Sequence, residues 1–255
     1  EEIIRVTSIG RDLLLEVFVI ERNNAAPQQE GEHGILKRRI KAAEVFTAGQ
    51  AKKGQLRTQL LDNDIDRIDA IIWTHDHADH AHGIDDVRPM HHRQRMALPG
   101  YGRRYTLDNL HRRFDYVFTG GHGYPPIVEA RALSVSEAIY DCLVRCVDQP
   151  HGPVLSTGLR FEGAGASLVY ATDLSEITDA MVALYTDCDL LIVDCLRESP
   201  HPTHAHLEMA LDLAKRCHAR RVILTHMDKS LDYQSLNQRL PDYVEPGYDG
   251  MTIGL

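Results

Sequence analysis

Apolar and polar positions follow one another along this chain in two registers. Strand-like runs, short and rich in apolar residues, appear at residues 13–20, 70–73, 116–118, 154–161, 167–171, 190–193 and 221–224. Between them, apolar residues return every three or four positions at 56–63, 106–114, 176–185, 206–218 and 234–240, which predicts amphipathic helices. Strands and helices interspersed in this way argue for a layered α/β domain, because each sheet face and each helix stripe needs an apolar partner. Residues 90–130 are the least regular stretch, broken by Pro99-Gly100, Gly120-Gly121 and Pro125-Pro126, and are expected to form loops that shape access to a site. No repeat, low-complexity segment or linker divides the sequence, so residues 1–255 are expected to form a single domain.

Composition narrows the classes further. The 255 residues suffice for a full core, and 43% hydrophobic with 25% charged residues is ordinary for a globular protein. The longest apolar run, 13–20, is broken by Glu16 and falls well short of the ~20 residues a membrane span needs. Residues 1–12 lack a basic stretch followed by a long apolar one, so no signal peptide is expected. A net charge of −9 offers no overall basic footprint, which argues against a nucleic-acid polymer as partner. Five scattered cysteines without a CxxC pair (Cys142, Cys146, Cys188, Cys195 and Cys217) read as buried thiols in a reducing compartment and predict a cytoplasmic location. Cys142 and Cys146 carry the spacing of one helical turn and form a weak candidate metal pair.

The chemistry is concentrated in His75-Asp76-His77-Ala78-Asp79-His80, directly after the apolar run Ile71-Ile72-Trp73. If that run is a buried strand, His75 and His77 point to one side of the extended segment leaving it. Asp79 and His80 then begin a helix aimed back at the same point. Four metal-capable side chains converge in a mixed nitrogen and oxygen set that suits zinc, manganese or iron. The bland alternative is a histidine-rich surface turn, in a chain that has 15 histidines.

Thr74 to His80 resembles the signature of the metallo-β-lactamase fold hydrolases, and the continuation Ala81-His82-Gly83-Ile84-Asp85-Asp86-Val87-Arg88-Pro89 resembles the branch that contains the phosphoribosyl cyclic phosphodiesterase of phosphonate breakdown, the PhnP-like proteins. Later segments agree in kind and order: His151-Gly152, Tyr170-Ala171-Thr172-Asp173, His201-Pro202-Thr203-His204, Leu224-Thr225-His226-Met227 and Tyr248-Asp249-Gly250-Met251. The resemblance runs from about residue 55 to the C-terminus and implies an α/β fold of the metallo-β-lactamase type, an αββα sandwich. It implies two divalent metal ions, one held by His75, His77 and His151, the other by Asp79, His80 and His226, with Asp173 bridging. A hydroxide shared between the ions would attack a small anionic phosphodiester, a cyclic sugar phosphate or nucleotide-like compound, and a homodimer is implied as well. His204 resembles the histidine that serves as general acid for the leaving oxygen, a role suited to a group titrating near neutral pH.

Each of these assignments has a structural alternative. His151 could serve only a turn, Asp173 could cap a helix from Glu176 onward, and His226 could be a packed strand-end histidine. The resemblance also implies a place for Asp76 beside the reacting water, where it would orient a ligand. Arg88 could contact a phosphate, or lock Asp85 or Asp86 in a salt bridge, and the second is favoured. Asp194, after the 190–193 run, reads as structural. The first 55 residues depart from the family: there is no cysteine before Cys142 and Lys229 replaces an expected histidine, so no structural zinc is expected. Phe46-Thr47-Ala48-Gly49 also stands where an acid-containing turn normally supports the metals. A thioester or lactam hydrolase of the same fold, and a non-enzymatic metal-binding protein from a decayed family member, are the competing readings. A tRNA-processing nuclease would need a basic arm and a flavodiiron enzyme an attached flavin domain, and neither is present in this sequence.

Overall fold

The computed structural model describes residues 3–4, 6–8, 17–22, 40–47, 55–62, 65–163, 165–248, 251 and 253–254. The N-terminal strands are β1 (Ile3–Ile4), β2 (Val6–Ser8), β3 (Val17–Arg22) and β4 (Ile40–Thr47), followed by helix α1 (Gln55–Asp62). Next come β5 (Ile71–Trp73), the short helix α2 (Ala78–Ala81), a 3-10 turn at His82–Val87 and α3 (Arg88–Gln94). Strand β6 (Leu98–Gly102), helices α4 (Arg104–Arg113) and α5 (Asp115–Thr119), and strands β7 (Val128–Ala132) and β8 (Ser136–Ile139) complete the first half. The second half runs β9 (Cys142–His151), β10 (Val154–Gly163), β11 (Ala166–Ala171), α6 (Asp179–Tyr185), β12 (Leu190–Asp194), α7 (Leu207–Arg216), β13 (Arg221–Thr225), α8 (Tyr233–Asn237), β14 (Val244–Pro246) and β15 (Ile253–Gly254).

A seven-stranded sheet in the order β14-β13-β12-β11-β10-β9-β8 forms one layer, with β11 to β14 parallel and β8 to β11 antiparallel. The parallel trio β5-β6-β7 and the trio β2-β4-β3 make the opposing layer, with β3 lying beside β5, and β1 pairs with β15. Alternation along the strands sorts the apolar residues into three cores. On β12, Leu190 and Ile192 enter the middle core while Leu191 and Val193 enter an outer one with Met181 and Tyr185 of α6 and Leu213 of α7. On β5, Ile72 faces the middle core, where it joins Tyr101, Phe161, Tyr170 and Ile223. Ile71 and Trp73 face the other outer core with Leu56, Leu60, Leu110 and Phe118. Helices, sheet, sheet, helices is the αββα sandwich. A glycine is required at position 100, where a Cβ would lie 2.4 Å from Val128 and 2.7 Å from the Trp73 ring.

Several expectations need correction. Residues 116–118 are not a strand: Tyr116, Val117 and Phe118 lie in α5, where Val117 and Phe118 are buried and Tyr116 is exposed. Three apolar residues carry no period, so a helical turn and a strand look alike. Residues 90–130 hold α3, β6, α4, α5 and part of β7. Pro89 sits in the first turn of α3, where it is tolerated, and the breakers Gly120-Gly121 and Pro125-Pro126 mark only the α5–β7 connection. Cys142 and Cys146 share β9, and at ~3.3 Å per residue they stand too far apart for a common ion. The strand expected at 13–20 overlaps β3, while residues 13–16, 48 and 49 lie outside the described residues. Among the described residues, no helix is long and apolar enough to cross a membrane.

Candidate metal centre

The parallel strands β11, β12 and β13 deliver their C-terminal ends to one edge of the large sheet. Asp173, Asp194 and His226 therefore stand on that edge, with β5 delivering His75 from the opposing layer. The segment after β5 behaves as its pattern predicts. His75 is buried and His77 caps α2 in extended conformation, so that Asp79 and His80 fall in the helix's first residues. His151 is the last residue of β9, immediately before the tight Gly152-Pro153 hairpin rather than within the turn. Asp173 caps nothing: the helix that follows starts at Asp179, where Thr178 Oγ1 accepts from Met181 N at 3.3 Å. Asp173 and His226 both adopt left-handed backbone, with φ of 52° and 62°. For residues other than glycine this costs ~1–3 kcal/mol each and is tolerated where the surroundings hold it.

These segments bring all seven expected ligands together. Donor atoms of His75, His77, His151 and Asp173 lie within 4.8 Å of one another, as do those of Asp79, His80 and His226. Asp173 stands between the sets. Its Oδ2 lies 3.5 Å from His75 Nε2, 3.2 Å from His151 Nε2 and 3.4 Å from His80 Nε2, and its Oδ1 lies 3.2 Å from His226 Nε2. Asp79 Oδ2 is 3.4 Å from His80 Nε2. Asp173, His204 and His226 form a third such group.

The donor set fits cations. His151 Nδ1 lies 2.6 Å from the Thr203 carbonyl, which requires a proton on Nδ1 and leaves Nε2 a bare lone pair. That lone pair meets His77 Nδ1 at 3.1 Å and the Asp173 carboxylate. His75 Nε2 and His226 Nε2 are buried and find no hydrogen-bond partner, though each faces Asp173. Acceptors crowded together in a buried pocket are costly unless positive charge lies among them. Burial, followed by the neighbouring His80, holds His75 well below its usual pKa, and burial likewise depresses His151. Neutral imidazoles are the form that binds metal. Burial acts to raise the pKa of Asp173, but the imidazoles of His226, His80 and His75 outweigh it and keep the carboxyl well below its usual range. Burial opposes ionisation of Asp79 too, and its bond to His80 overrides that, so Asp79 is also depressed. This His/Asp cluster is compatible with divalent metal binding.

His204 is built differently from the ligands. Its Nδ1 lies 3.2 Å from Asp194 Oδ2, and its ring sits 4.8 Å from that of His151 and 4.6 Å from that of His226. Burial favours the neutral form, but the bond to Asp194 prevails and the pKa of His204 is raised. The sequence pattern assigns Asp194 a structural place, and the structure adds a second task. This fully buried carboxylate accepts from Leu174 N and Ala205 N as well as from His204. Its signal in the sequence was an acid closing an apolar strand, ten residues before His204. Asp76 turns towards α4, where its carboxylate meets Asn109 Nδ2 at 3.1 Å and Arg113 Nη1 at 3.3 Å. It thereby ties the His75–His77 segment to that helix. Arg88 takes the salt-bridge alternative: its Nη2 donates to Asp85 Oδ1 at 2.9 Å and its guanidinium stands 6.0 Å above the Tyr116 ring, whose hydroxyl also binds Asp85.

Residues 45–227 match the model of the beta-lactamase superfamily domain. The chain belongs to that superfamily. Its fold is the metallo-β-lactamase fold. It is similar to a solved diphosphatase of the PhnP family, with 26% identity, a TM-score of 0.72 and coverage of 94% of this chain and 96% of the other. Two further solved structures share the fold: the metallo-β-lactamase fold protein YhfI from Bacillus subtilis, at 18% identity, TM-score 0.67 and coverage of 95% and 99%, and the short form of human tRNase Z, at 20% identity, TM-score 0.63 and coverage of 95% and 98%. Among curated proteins, an octanoyltransferase of Porphyromonas gingivalis is 27% identical over 201 residues, covering 76% of this chain. The match spans 39% of that relative's length.

Proposed function

We propose that this protein is a dinuclear metal-dependent phosphodiesterase acting on a small anionic phosphodiester. The observation that carries the reading is the position of Asp173, whose carboxylate lies within 3.5 Å of His75 and His151 of one set and of His80 and His226 of the other. In this reading His75, His77 and His151 hold one divalent ion, zinc, manganese or iron, Asp79, His80 and His226 hold the other, and Asp173 is shared. When bound, the ions supply charge to neutralise phosphate oxygens and acidify the water that attacks phosphorus. Similarity to a PhnP-family diphosphatase supports phosphorus chemistry over acyl chemistry at such a site.

The chain's own residues supply the rest. Asp194 accepts from His204 Nδ1, which fixes a proton there, and holds the ring beside the cluster, with Nδ1 3.9 Å from Asp173 Oδ2. The raised pKa keeps His204 protonated nearer neutral pH, which suits donation of a proton to the departing oxygen. Thr203 orients His151 through its carbonyl, and the same short segment thereby places both His151 and His204. Asp76, tied to Asn109 and Arg113, keeps the loop of His75 and His77 in place and is a positioning residue rather than a proton carrier.

The test is metal content by mass spectrometry on the sample assayed with bis(p-nitrophenyl) phosphate, with and without added manganese. About two metals per chain together with metal-dependent turnover is the expected result. Two metals without diester turnover redirects the reading to thioesters. A chain that binds no metal and gains no activity from added manganese overturns it.

A further inference from the structure

Asp173 sits in strained backbone at the most demanding position of the cluster, and the groups that hold it there come from elsewhere in the fold. Gln149 of β9 and Ser156 of β10 are direct cross-strand partners, both fully buried. The Gln149 side-chain amide donates to Thr172 O at 2.7 Å and to Ser156 Oγ at 2.9 Å. Ser156 Oγ in turn donates to Asp173 O at 2.8 Å, with Thr172 O at 3.2 Å. Gln149 Oε1 accepts from the buried hydroxyl of Tyr185, the last residue of α6, at 2.7 Å. With both amide protons and the amide oxygen engaged, Gln149 has one orientation available. Two residues further along the same face of β9 stands His151. Room for this arrangement depends on Gly158, where a Cβ would meet the Tyr185 hydroxyl at 1.6 Å and Gln149 Oε1 at 2.6 Å.

We infer that Gln149, Ser156 and Tyr185 are positioning residues that clamp the Thr172–Asp173 backbone and so aim the Asp173 carboxylate at both halves of the cluster. The inference rests on the reading of Asp173 as a shared metal ligand. Buried polar chains of this kind are effective only when every member is satisfied, so loss of one member is felt at the far end. The Ser156 hydroxyl is the member in contact with Asp173. Tyr185 acts one bond further back, through Gln149.

The test is titration of the metal-free protein with cobalt(II), read by its visible absorption and by calorimetry, beside the melting temperature of the metal-free form. A purely structural role lowers that melting temperature and leaves the spectrum of the bound ion unchanged. The inference expects Ser156→Ala to bind cobalt about tenfold or more weakly, with an altered spectrum, and Tyr185→Phe to show the same change at a few-fold. A Ser156→Ala protein that is folded by circular dichroism and binds with the parent's affinity and spectrum overturns it. If Ser156→Ala does not fold, Tyr185→Phe decides by the same criterion, parental affinity and spectrum again overturning it. A parent that binds no cobalt overturns the metal reading and this inference together, whereas a parent that binds beside an unaffected variant overturns this inference alone.

Discussion

The turn after β5 and the turn after β11 both present metal-capable groups at a strand end, and they do so by opposite means. After β5, His75, His77, Asp79 and His80 lie within six residues, and local geometry suffices: an extended segment places the first two and one turn of α2 places the others. After β11, a single carboxylate is presented from left-handed backbone whose carbonyls are held by Ser156 and Gln149, and Leu174 N by Asp194. The first device is written in a contiguous motif. The second is assembled from three strands and a helix. Strain of this kind persists only where surrounding contacts over-determine it, so the β11 turn is the more sensitive of the two to distant substitutions.

The largest effect that would break this comparison is Asp173→Ala. It removes the one group both halves share, and the expected result is loss of the second metal equivalent, with turnover lower by roughly a thousandfold or more, measured by metal analysis and diesterase assay. Retention of two ions would mean that the β5 turn and the remaining histidines suffice alone. Next, His204→Ala keeps its metals and loses turnover by about 10²–10⁴. Asp194 keeps Leu174 N and Ala205 N as partners in that variant, so folding is spared, and parental hydrolysis rates would rule out the proton-donor role. Asp194→Asn should fall below His204→Ala in effect, with kcat lower by about ten- to a hundredfold at nearly unchanged KM. A change confined to KM would place Asp194 in substrate binding. The smallest effect is expected at Arg88→Ala, where the lost pair with Asp85 is partly exposed: stability changes by ~0–1 kcal/mol and turnover by less than about twofold. A much larger loss of turnover there would restore a phosphate contact for Arg88.

How much was legible follows the same division. Strands β5, β11, β12 and β13 stood out because apolar runs buried on both faces need no partner to be recognised. The ten-residue β9 was missed: Arg145, Asp148 and Gln149 interrupt its apolar residues, and only pairing along β10 shows why they are tolerated there. Gln149 bonds Thr172 and Ser156, Asp148 pairs with Arg103, and Arg145 pairs with Glu162. Asp194 was underread for a related reason. An acid at a strand end has many uses, and its partner His204 sits ten residues away across a loop.

What the sequence by itself determined is the layered α/β class and the His75–His80 motif, while His151, Asp173 and His226 joined it through the resemblance to the metallo-β-lactamase fold hydrolases, whose motifs they match in order. These are local or ordinal properties: a period, a spacing, a succession of strand-end residues. Only the tertiary structure decided that Asp173 faces both halves, that Asp194 serves His204, that Arg88 is paired with Asp85, and that Gln149, Ser156 and Tyr185 hold the Asp173 turn. Each of those is a contact between residues distant along the chain, set by strand register and layer packing. A one-dimensional pattern has no term for the direction in which a buried polar group must point.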